Sequence, residues 1–204
     1  MSTYRYLFGT MYSYQDLWSA CKDANLGKIQ EILDSGIGNK IIVAEHLAEA
    51  GHIEIIKQMI EEGDANYGSI LIGAVMGGHE DIIELLAGKP ITKSALDVAL
   101  MEAASEGNMK FSLLMLDKGA DTYNSAMAQA ASNGHMEIVT LMLNKGAKAY
   151  NWAMLLAAEG DQYEMVQFFL EKGADNHDES IQISATEEIK DLIETYKQGK
   201  NKLY

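Results

Sequence analysis

The chain has 204 residues, 48% of them apolar, a single cysteine, a single proline and a formal net charge of −14 at pH 7. One cysteine excludes an intrachain disulfide, no apolar run reaches the roughly 18 residues that a membrane span needs, and the acidic charge disfavours direct binding to nucleic acid or to membrane lipid. Scarce proline with abundant Ala, Leu, Ile, Met, Glu and Lys favours an all-helical protein, and the lone cysteine fits a reducing, cytoplasmic setting.

The first predicted element is a capping segment, residues 1–11, whose sequence MSTYRYLFGTM is rich in aromatic side chains. We expect it to lie over the exposed end of the array that follows, because the end of a stacked array needs a cover.

A repeating pattern begins at residue 12, and a glycine followed by histidine is its clearest mark. With this glycine as position zero, the equivalent residues follow at spacings of 27 or 29: Ala24, Gly51, Gly78, Gly107, Gly134 and Asp161. An apolar residue stands seven positions before zero in each copy: Leu17, Ala44, Leu71, Leu100, Met127 and Met154. A seventh, degenerate copy has its zero position near Ala185. Agreement at several positions at once makes the repeat specific.

Each repeat predicts two short helices. The first is rich in alanine and lies about four to eleven residues before zero, and the second runs from just after zero to the next glycine. Apolar residues four, five, eight and nine positions after zero fall on one face of the second helix. Glycine at zero permits a tight turn, and we expect left-handed caps where the second helices end, at Gly63, Gly119, Gly146 and Gly173. Since one pair cannot bury its apolar face alone, the pairs must stack.

The segments AASEGNMKFSLLMLDKGAD and AASNGHMEIVTLMLNKGAK resemble ankyrin repeats, and the resemblance covers roughly residues 12–196. It implies an all-α fold, an α-solenoid of stacked helix-turn-helix repeats. The family's Thr-Pro-Leu-His box is missing, and the period of 27 is shorter than the family's roughly 33. The missing residues fall where the family places a β-hairpin finger, so little or no β-structure is expected. Shortened repeats with a Tyr-Asn start resemble those of ankyrin proteins of giant DNA viruses.

These elements predict a single domain over residues 1–204. After the capping segment, residues 12–176 hold about six repeats, and residues 177–204 hold a degenerate C-terminal capping repeat and a tail. Polar helix positions suit a capping repeat. We expect the final KQGKNKLY to fray.

The histidines after the glycines are the main candidates for chemistry. His52, His79 and His135 would lie roughly 10 Å apart in successive stacked repeats, too far apart to share one metal ion. We interpret them as polar residues that open the second helix, and Cys21 as a small core residue. No catalytic residue, metal ligand or cofactor is assigned, so the protein is predicted not to be an enzyme.

Variable positions among the first helices are the main candidates for binding. The resemblance implies that partners lie on a concave face made by these helices, where the residue five before zero should point outward: Ser19, His46, Gly73, Glu102, Gln129 and Leu156. With the residues just before zero and one exposed aromatic, the predicted partner-binding set is His46, Glu49, Met76, Glu102, Glu106, Gln129, Ser132, Asn133, Trp152, Leu156 and Glu159. The alternative, that these are merely tolerant solvent positions, stays open.

Aromatic residues at the start of the first helices have two interpretations. Tyr67, Tyr123 and Tyr150 recur eleven positions before zero, where they could seal the gap left by the missing hairpin or anchor a partner. Recurrence at one register favours the structural role for the tyrosines, and Trp152 stays open.

The predicted function is a non-enzymatic protein-protein interaction module that binds a protein with a basic surface through an acidic concave face. We expect a monomer in the cytoplasm, or in the host-cell cytoplasm if viral, with no direct binding to nucleic acid or membrane. The alternative is an acidic decoy that competes with nucleic acid for a basic protein.

Overall fold

The computed structural model describes residues 5–7, 10–184 and 186–201. Over these ranges the chain forms fourteen α-helices and one small antiparallel hairpin, so the prediction of an all-α protein with little β-structure is confirmed. The elements are β1 (Arg5–Leu7), β2 (Thr10–Tyr12), α1 (Tyr14–Lys22), α2 (Leu26–Asp34), α3 (Lys40–Glu49), α4 (Ile53–Glu61), α5 (Tyr67–Gly77), α6 (Glu80–Leu85), α7 (Lys93–Ser105), α8 (Met109–Asp117), α9 (Tyr123–Ser132), α10 (Met136–Lys145), α11 (Tyr150–Glu159), α12 (Tyr163–Glu171), α13 (His177–Ile183) and α14 (Glu187–Asn201). Among the described helices, none has the length and apolar composition that crossing a membrane requires.

The chain divides into two compact units, residues 1–99 and 100–204. In the first unit α1 packs on α3 and α3 on α5, while α2, α4 and α6 each pack against the preceding first helix. In the second unit α9, α11 and α13 lie side by side in the same way, and α10, α12 and α14 complete the pairs. Each unit is therefore a stack of helix pairs, the architecture of an α-solenoid.

The core follows the register predicted from the sequence. The residue seven positions before zero has no exposed area in all six copies: Leu17, Ala44, Leu71, Leu100, Met127 and Met154. The second helices bury their predicted stripe at Ile56, Ile82, Phe111, Ile138 and Met165, each at most 2% exposed. Alanine beside these positions, as at Ala130 and Ala131, allows the first helices to approach closely.

The turn within each repeat adopts a left-handed backbone. Glycines at position zero have φ between 71° and 79°, and Ala24 and Asp161 hold the same conformation with φ of 51° and 57°. The second helices end at glycines that are also left-handed, as predicted: Gly63, Gly119, Gly146 and Gly173. Both ends of the second helix therefore depend on a conformation that glycine adopts most easily.

Asparagine side chains connect the loops of the second unit in place of a hairpin finger. The Oδ1 atom of Asn124, near the start of α9, accepts hydrogen bonds from the backbone N–H groups of Lys148 and Ala149 at 2.7 and 3.0 Å. Asn151 does the same one repeat later, accepting from the N–H of Asp175 at 2.9 Å. The backbone of a short loop is thus satisfied by a side chain from the preceding repeat.

The C-terminal helix reaches into the segment KQGKNKLY that the sequence predicts to fray, because α14 continues to Asn201. Residues 202–204 of this segment lie outside the described residues. Two contacts hold α14: Lys197 pairs with the carboxylate of Asp178, and the hydroxyl of Tyr196 donates to the carbonyl oxygen of Leu170 at 2.6 Å. The seventh position zero, predicted near residue 185, falls outside the described residues.

The N-terminal segment reaches the first repeat through Tyr12. Its side chain is buried, and the ammonium group of Lys28 on α2 donates to its hydroxyl at 2.8 Å. Residues 1–4 and 8–9 of the predicted capping segment lie outside the described residues.

Candidate protein-binding surface

The recurring glycine-histidine pair joins neighbouring repeats. The Nε2 atom of His135 donates a hydrogen bond to the backbone carbonyl oxygen of Ser105, 30 residues earlier in the chain, at 2.9 Å. Two further bonds of this kind lie in the first unit: His52 to the carbonyl oxygen of Lys22 at 2.9 Å, and His79 to that of Glu49 at 3.0 Å. A carbonyl oxygen can only accept, so Nε2 carries the proton. These histidines are clamps between repeats, a more specific role than the helix-opening one predicted from the sequence.

The glycine at position zero makes room for the clamp of the next repeat. Gly107 has a φ of 71°, and a Cβ atom there would lie 2.6 Å from a ring carbon of His135. Asparagine after the glycine behaves differently, because the Oδ1 atom of Asn108 caps its own helix by accepting from the N–H of Phe111 at 3.0 Å. The identity of the residue after position zero therefore determines its hydrogen bond. Histidine bonds to the preceding repeat, whereas asparagine caps its own helix.

Cys21 has the environment of a core residue. Its side chain has no exposed area, and burial raises the pKa of the thiol to about 11. A thiol that stays protonated near neutral pH is a poor nucleophile. Among the described residues, no group of three or more His, Cys, Asp or Glu side chains is placed to hold a metal ion.

The first-helix surface of the first unit comprises Trp18, Lys22, His46, Glu49 and Met76, on α1, α3 and α5. Four of them line one small pocket together with Ala50: Trp18, Lys22, His46 and Glu49. Met76 is 38% exposed on the next helix. The sequence pattern identified His46, Glu49 and Met76 but missed Trp18, which stands one position before the variable register.

Gly73 is a correction to the predicted surface. The periodicity placed it facing outward, but it is buried between α5 and α3, where a Cβ atom would overlap the backbone carbonyl oxygen of Glu45. The absence of a side chain lets the two helices come into backbone contact. The position is therefore part of the packing of the first unit.

The first-helix surface of the second unit comprises Glu102, Glu106, Gln129, Ser132, Asn133, Leu156 and Glu159. Glu106, Asn133 and Glu159 are exposed, and the others are partly exposed. Helices α9 and α11 contain no Lys or Arg. Burial, and secondarily the nearby charge of Glu106, raises the pKa of Glu102 above its ordinary 4.5. Neither carboxylate has an ion-pair partner within the described part of the chain.

Polar contacts connect several of these positions. The amide group of Asn133 donates to the hydroxyl of Ser105 at 3.1 Å and to the carbonyl oxygen of Gln129 at 3.2 Å. The backbone of Ser132 lies directly against Gly160 of the next repeat. A Cβ atom on Gly160 would overlap the carbonyl oxygen of Ser132. The sequence-derived positions from α7 to α9 are thus brought together on one surface.

The aromatic positions at the starts of the first helices differ in their contacts. Tyr150 packs near Phe169, with 6.5 Å between ring centroids, and the ammonium group of Lys89 lies 5.6 Å from the ring centroid of Tyr67. Both contacts favour the structural role of the tyrosines. Trp152 on α11 is 41% exposed and stays a candidate for binding.

Comparison with known proteins identifies the repeats. Residues 100–180 match the family model of ankyrin repeats in three copies. The fold is similar to the crystal structure of the human ASB11 ankyrin repeat domain, with a TM-score of 0.55 and 15% sequence identity, over 88% of this chain and 96% of that chain. At this identity the likeness shows the fold alone. No curated protein matches the sequence.

Proposed function

Because residues 100–180 match the family model of ankyrin repeats, we propose that this chain is an ankyrin-repeat protein that binds a protein with a basic surface through its first helices. Ankyrin repeats are in general protein-protein interaction modules, and the fold is typically a non-enzymatic scaffold. The specific partner class proposed here rests on the charges of the two first-helix surfaces.

Carboxylates without counter-ions carry the proposal. Glu102, Glu106 and Glu159 on the first-helix surface of the second unit have no ion-pair partner among the described residues. Several second-helix carboxylates are already neutralised by a neighbouring lysine: Glu31 by Lys28, Glu54 by Lys57 and Glu187 by Lys190, at 3.3, 2.6 and 2.7 Å. On the first-helix surface of the second unit, the cations of a basic partner therefore meet uncompensated carboxylates, and no lysine or arginine on α9 or α11 repels them.

Partial burial of Glu102 adds to the free energy gained when a cation binds this surface. A partly buried carboxylate beside a like charge is held at a cost in free energy, which an incoming ammonium or guanidinium group offsets. Glu102 and Glu106 form such a pair near the end of α7. Desolvation of Glu102 and its repulsion from Glu106 raise the free energy of the unbound surface, and binding of a cation lowers it.

The remaining properties follow from the fold and the cysteine content. The polar face of α14 exposes Glu187, Glu188, Asp191 and Glu194, which disfavours stacking of a second copy on this face and supports a monomer. A single, buried, reduced cysteine suits the cytoplasm.

Affinity purification of the native cell extract, followed by mass spectrometry, tests the proposal. We expect a protein partner whose binding weakens steeply with salt, since the contact is electrostatic. Addition of DNA or RNA at low salt separates the alternative, because a nucleic-acid decoy would lose its partner to the added polymer. A partner bound equally well at low and high salt would contradict the basic-surface proposal.

A further inference from the structure

A small pocket opens among the first helices of the first unit. Trp18 and Lys22 from α1, His46 and Glu49 from α3, and Ala50 line it, and its volume is about 100 Å³. This space suits the end of one side chain and is well below the roughly 300 Å³ of a typical small-molecule site. The pocket therefore fits a contact within a larger protein interface.

The groups around the pocket have complementary chemistry for a cation. The Nδ1 atom of His46 donates a hydrogen bond to Oε2 of Glu49 at 3.2 Å, which orients the carboxylate. The side chains of His46 and Glu49 are 24% and 28% exposed, so a partner can reach them. The ammonium group of Lys22 lies 5.0 Å from the ring centroid of Trp18, within cation-π range. The face of the indole thus already attracts a positive charge.

We propose that this pocket receives an arginine side chain of the protein partner, with the guanidinium group stacked on Trp18 and hydrogen-bonded to Glu49. The inference rests on the proposed function and names one side chain of the partner, an arginine, that this surface recognises. A guanidinium group is planar, stacks on aromatic faces and pairs with a carboxylate through two N–H groups. Lysine offers only a point charge, so arginine makes fuller use of a ring and a carboxylate in one pocket.

Lys22 acts as an internal competitor. Its side chain is exposed, and it leaves the indole face for water when the guanidinium group enters. The two charged residues of the pocket therefore have opposite effects. Removing the Glu49 charge weakens arginine binding, whereas removing the Lys22 charge strengthens it. If the surface attracted cations only through its overall acidity, substitution of Glu49 or Lys22 would change the affinity no more than substitution of a distant charged residue.

Both substitutions leave the clamps between repeats in place. His52 bonds to the backbone carbonyl of Lys22, and His79 bonds to that of Glu49, so neither clamp involves the altered side chain. Glu54→Gln is the matched control, because Glu54 is an exposed carboxylate of the first unit on α4, away from the pocket residues.

Titration of the full chain with arginine amide, followed by the indole N–H resonance of Trp18 in NMR spectra, tests the proposal without a partner. The Trp152→Phe background leaves Trp18 as the single indole, since the chain has two tryptophans. We expect a saturable shift with a dissociation constant in the range of about 1–50 mM, as one side chain can provide. Glu49→Gln should weaken binding about tenfold and Lys22→Gln should strengthen it about threefold, with Glu54→Gln unchanged.

Citrulline amide provides the ligand control, because its ureido side chain is uncharged and nearly isosteric with the guanidinium group, while the backbone part of the ligand stays the same. An equal response to citrulline, no saturable shift with arginine amide, or equal affinities in Glu49→Gln and Glu54→Gln would each overturn the arginine pocket. These outcomes differ from failure of the proposed function, which is the absence of a salt-sensitive protein partner.

Discussion

His135 donates a hydrogen bond from Nε2 to the carbonyl oxygen of Ser105, so a side chain at the start of one second helix holds the end of the first helix of the preceding repeat. The C-terminal carbonyls of a helix lack partners within the helix. The clamp satisfies one of them and fixes neighbouring repeats at the same time. In a stack, where stability depends on contacts between adjacent repeats, this bond couples repeats energetically.

Removal of this clamp should destabilise the second unit. We expect His135→Ala to lower the free energy of unfolding by about 1–2 kcal/mol, because the hydrogen bond and the packing of the ring are lost. His135→Asn should cost less, since asparagine at this position caps its own helix, as Asn108 does. Urea denaturation followed by circular dichroism measures both. Equal stability of wild type and His135→Ala would show that the bond contributes nothing to the stack.

Substitution of Gly73 should invert the usual effect of alanine in a helix. Alanine normally stabilises a helix interior by roughly 0.5–1 kcal/mol relative to glycine. At Gly73, a Cβ atom would overlap the carbonyl oxygen of Glu45, a backbone atom that cannot rotate away. We expect Gly73→Ala to destabilise by more than about 2 kcal/mol through separation of α3 and α5. Gly199→Ala on α14, where no atom lies within 4 Å of the Cβ position, should be neutral or stabilising.

Thermal unfolding compares the two glycine variants directly. A melting temperature of Gly73→Ala at or above that of Gly199→Ala would show that the helices yield and that the close approach is not required.

The left-handed turn predicts opposite effects at two equivalent positions. Ala24 holds a φ of 51° without being glycine, so Ala24→Gly should stabilise by about 0.5–1 kcal/mol, the relief of left-handed strain less the added entropy of the unfolded chain. Gly134 holds a φ of 79°, and Gly134→Val should destabilise by more than about 2 kcal/mol, because a β-branched residue rarely adopts this conformation. Differential scanning calorimetry measures both. A destabilising Ala24→Gly, or an unchanged Gly134→Val, would contradict the turn assignment.

The periodicity located the core and the turns because both depend on residues within a single repeat. Leu17 and Met154 are buried as expected, and Gly119 caps its helix. The clamp of His135 and the loop bonds of Asn124 were not foreseen, because they join residues 24 to 30 positions apart and depend on the exact offset between stacked repeats.

The candidate surface was predicted only in part for a related reason. Variability at one register cannot distinguish an outward side chain from a glycine that is small to allow backbone contact, as at Gly73. Trp18 stands one position before the register that the sequence predicts to face outward, and its role emerges only where α1 and α3 place it beside Glu49.

Stability should depend on pH through Glu102. Because its pKa is raised in the folded state, the folded protein binds this proton more tightly than the unfolded chain. The contribution of Glu102 to the free energy of unfolding is therefore greatest below the ordinary value of 4.5 and is lost as pH rises through the folded pKa. Glu102→Gln, which stays neutral, should be more stable than wild type at pH 7 and similar to it at about pH 3.5.

Glu137→Gln is the control for this pH dependence, because the side chain of Glu137 is exposed on α10. Chemical denaturation at the two pH values gives the comparison. If the Glu102→Gln and Glu137→Gln variants differ from wild type by the same amount at both pH values, the carboxylate of Glu102 is not desolvated as described.

The most direct test of the proposed function is the dissociation constant of the purified partner for two variants of equal net charge. Glu102→Lys with Glu106→Lys reverses the first-helix surface of the second unit, and Glu137→Lys with Glu164→Lys reverses exposed carboxylates on the second helices α10 and α12. We expect at least about a tenfold loss of affinity for the first variant and a change below about threefold for the second, with both variants folded by circular dichroism. Equal affinities of the two variants, or a larger loss in the second, would contradict binding through the first-helix surface.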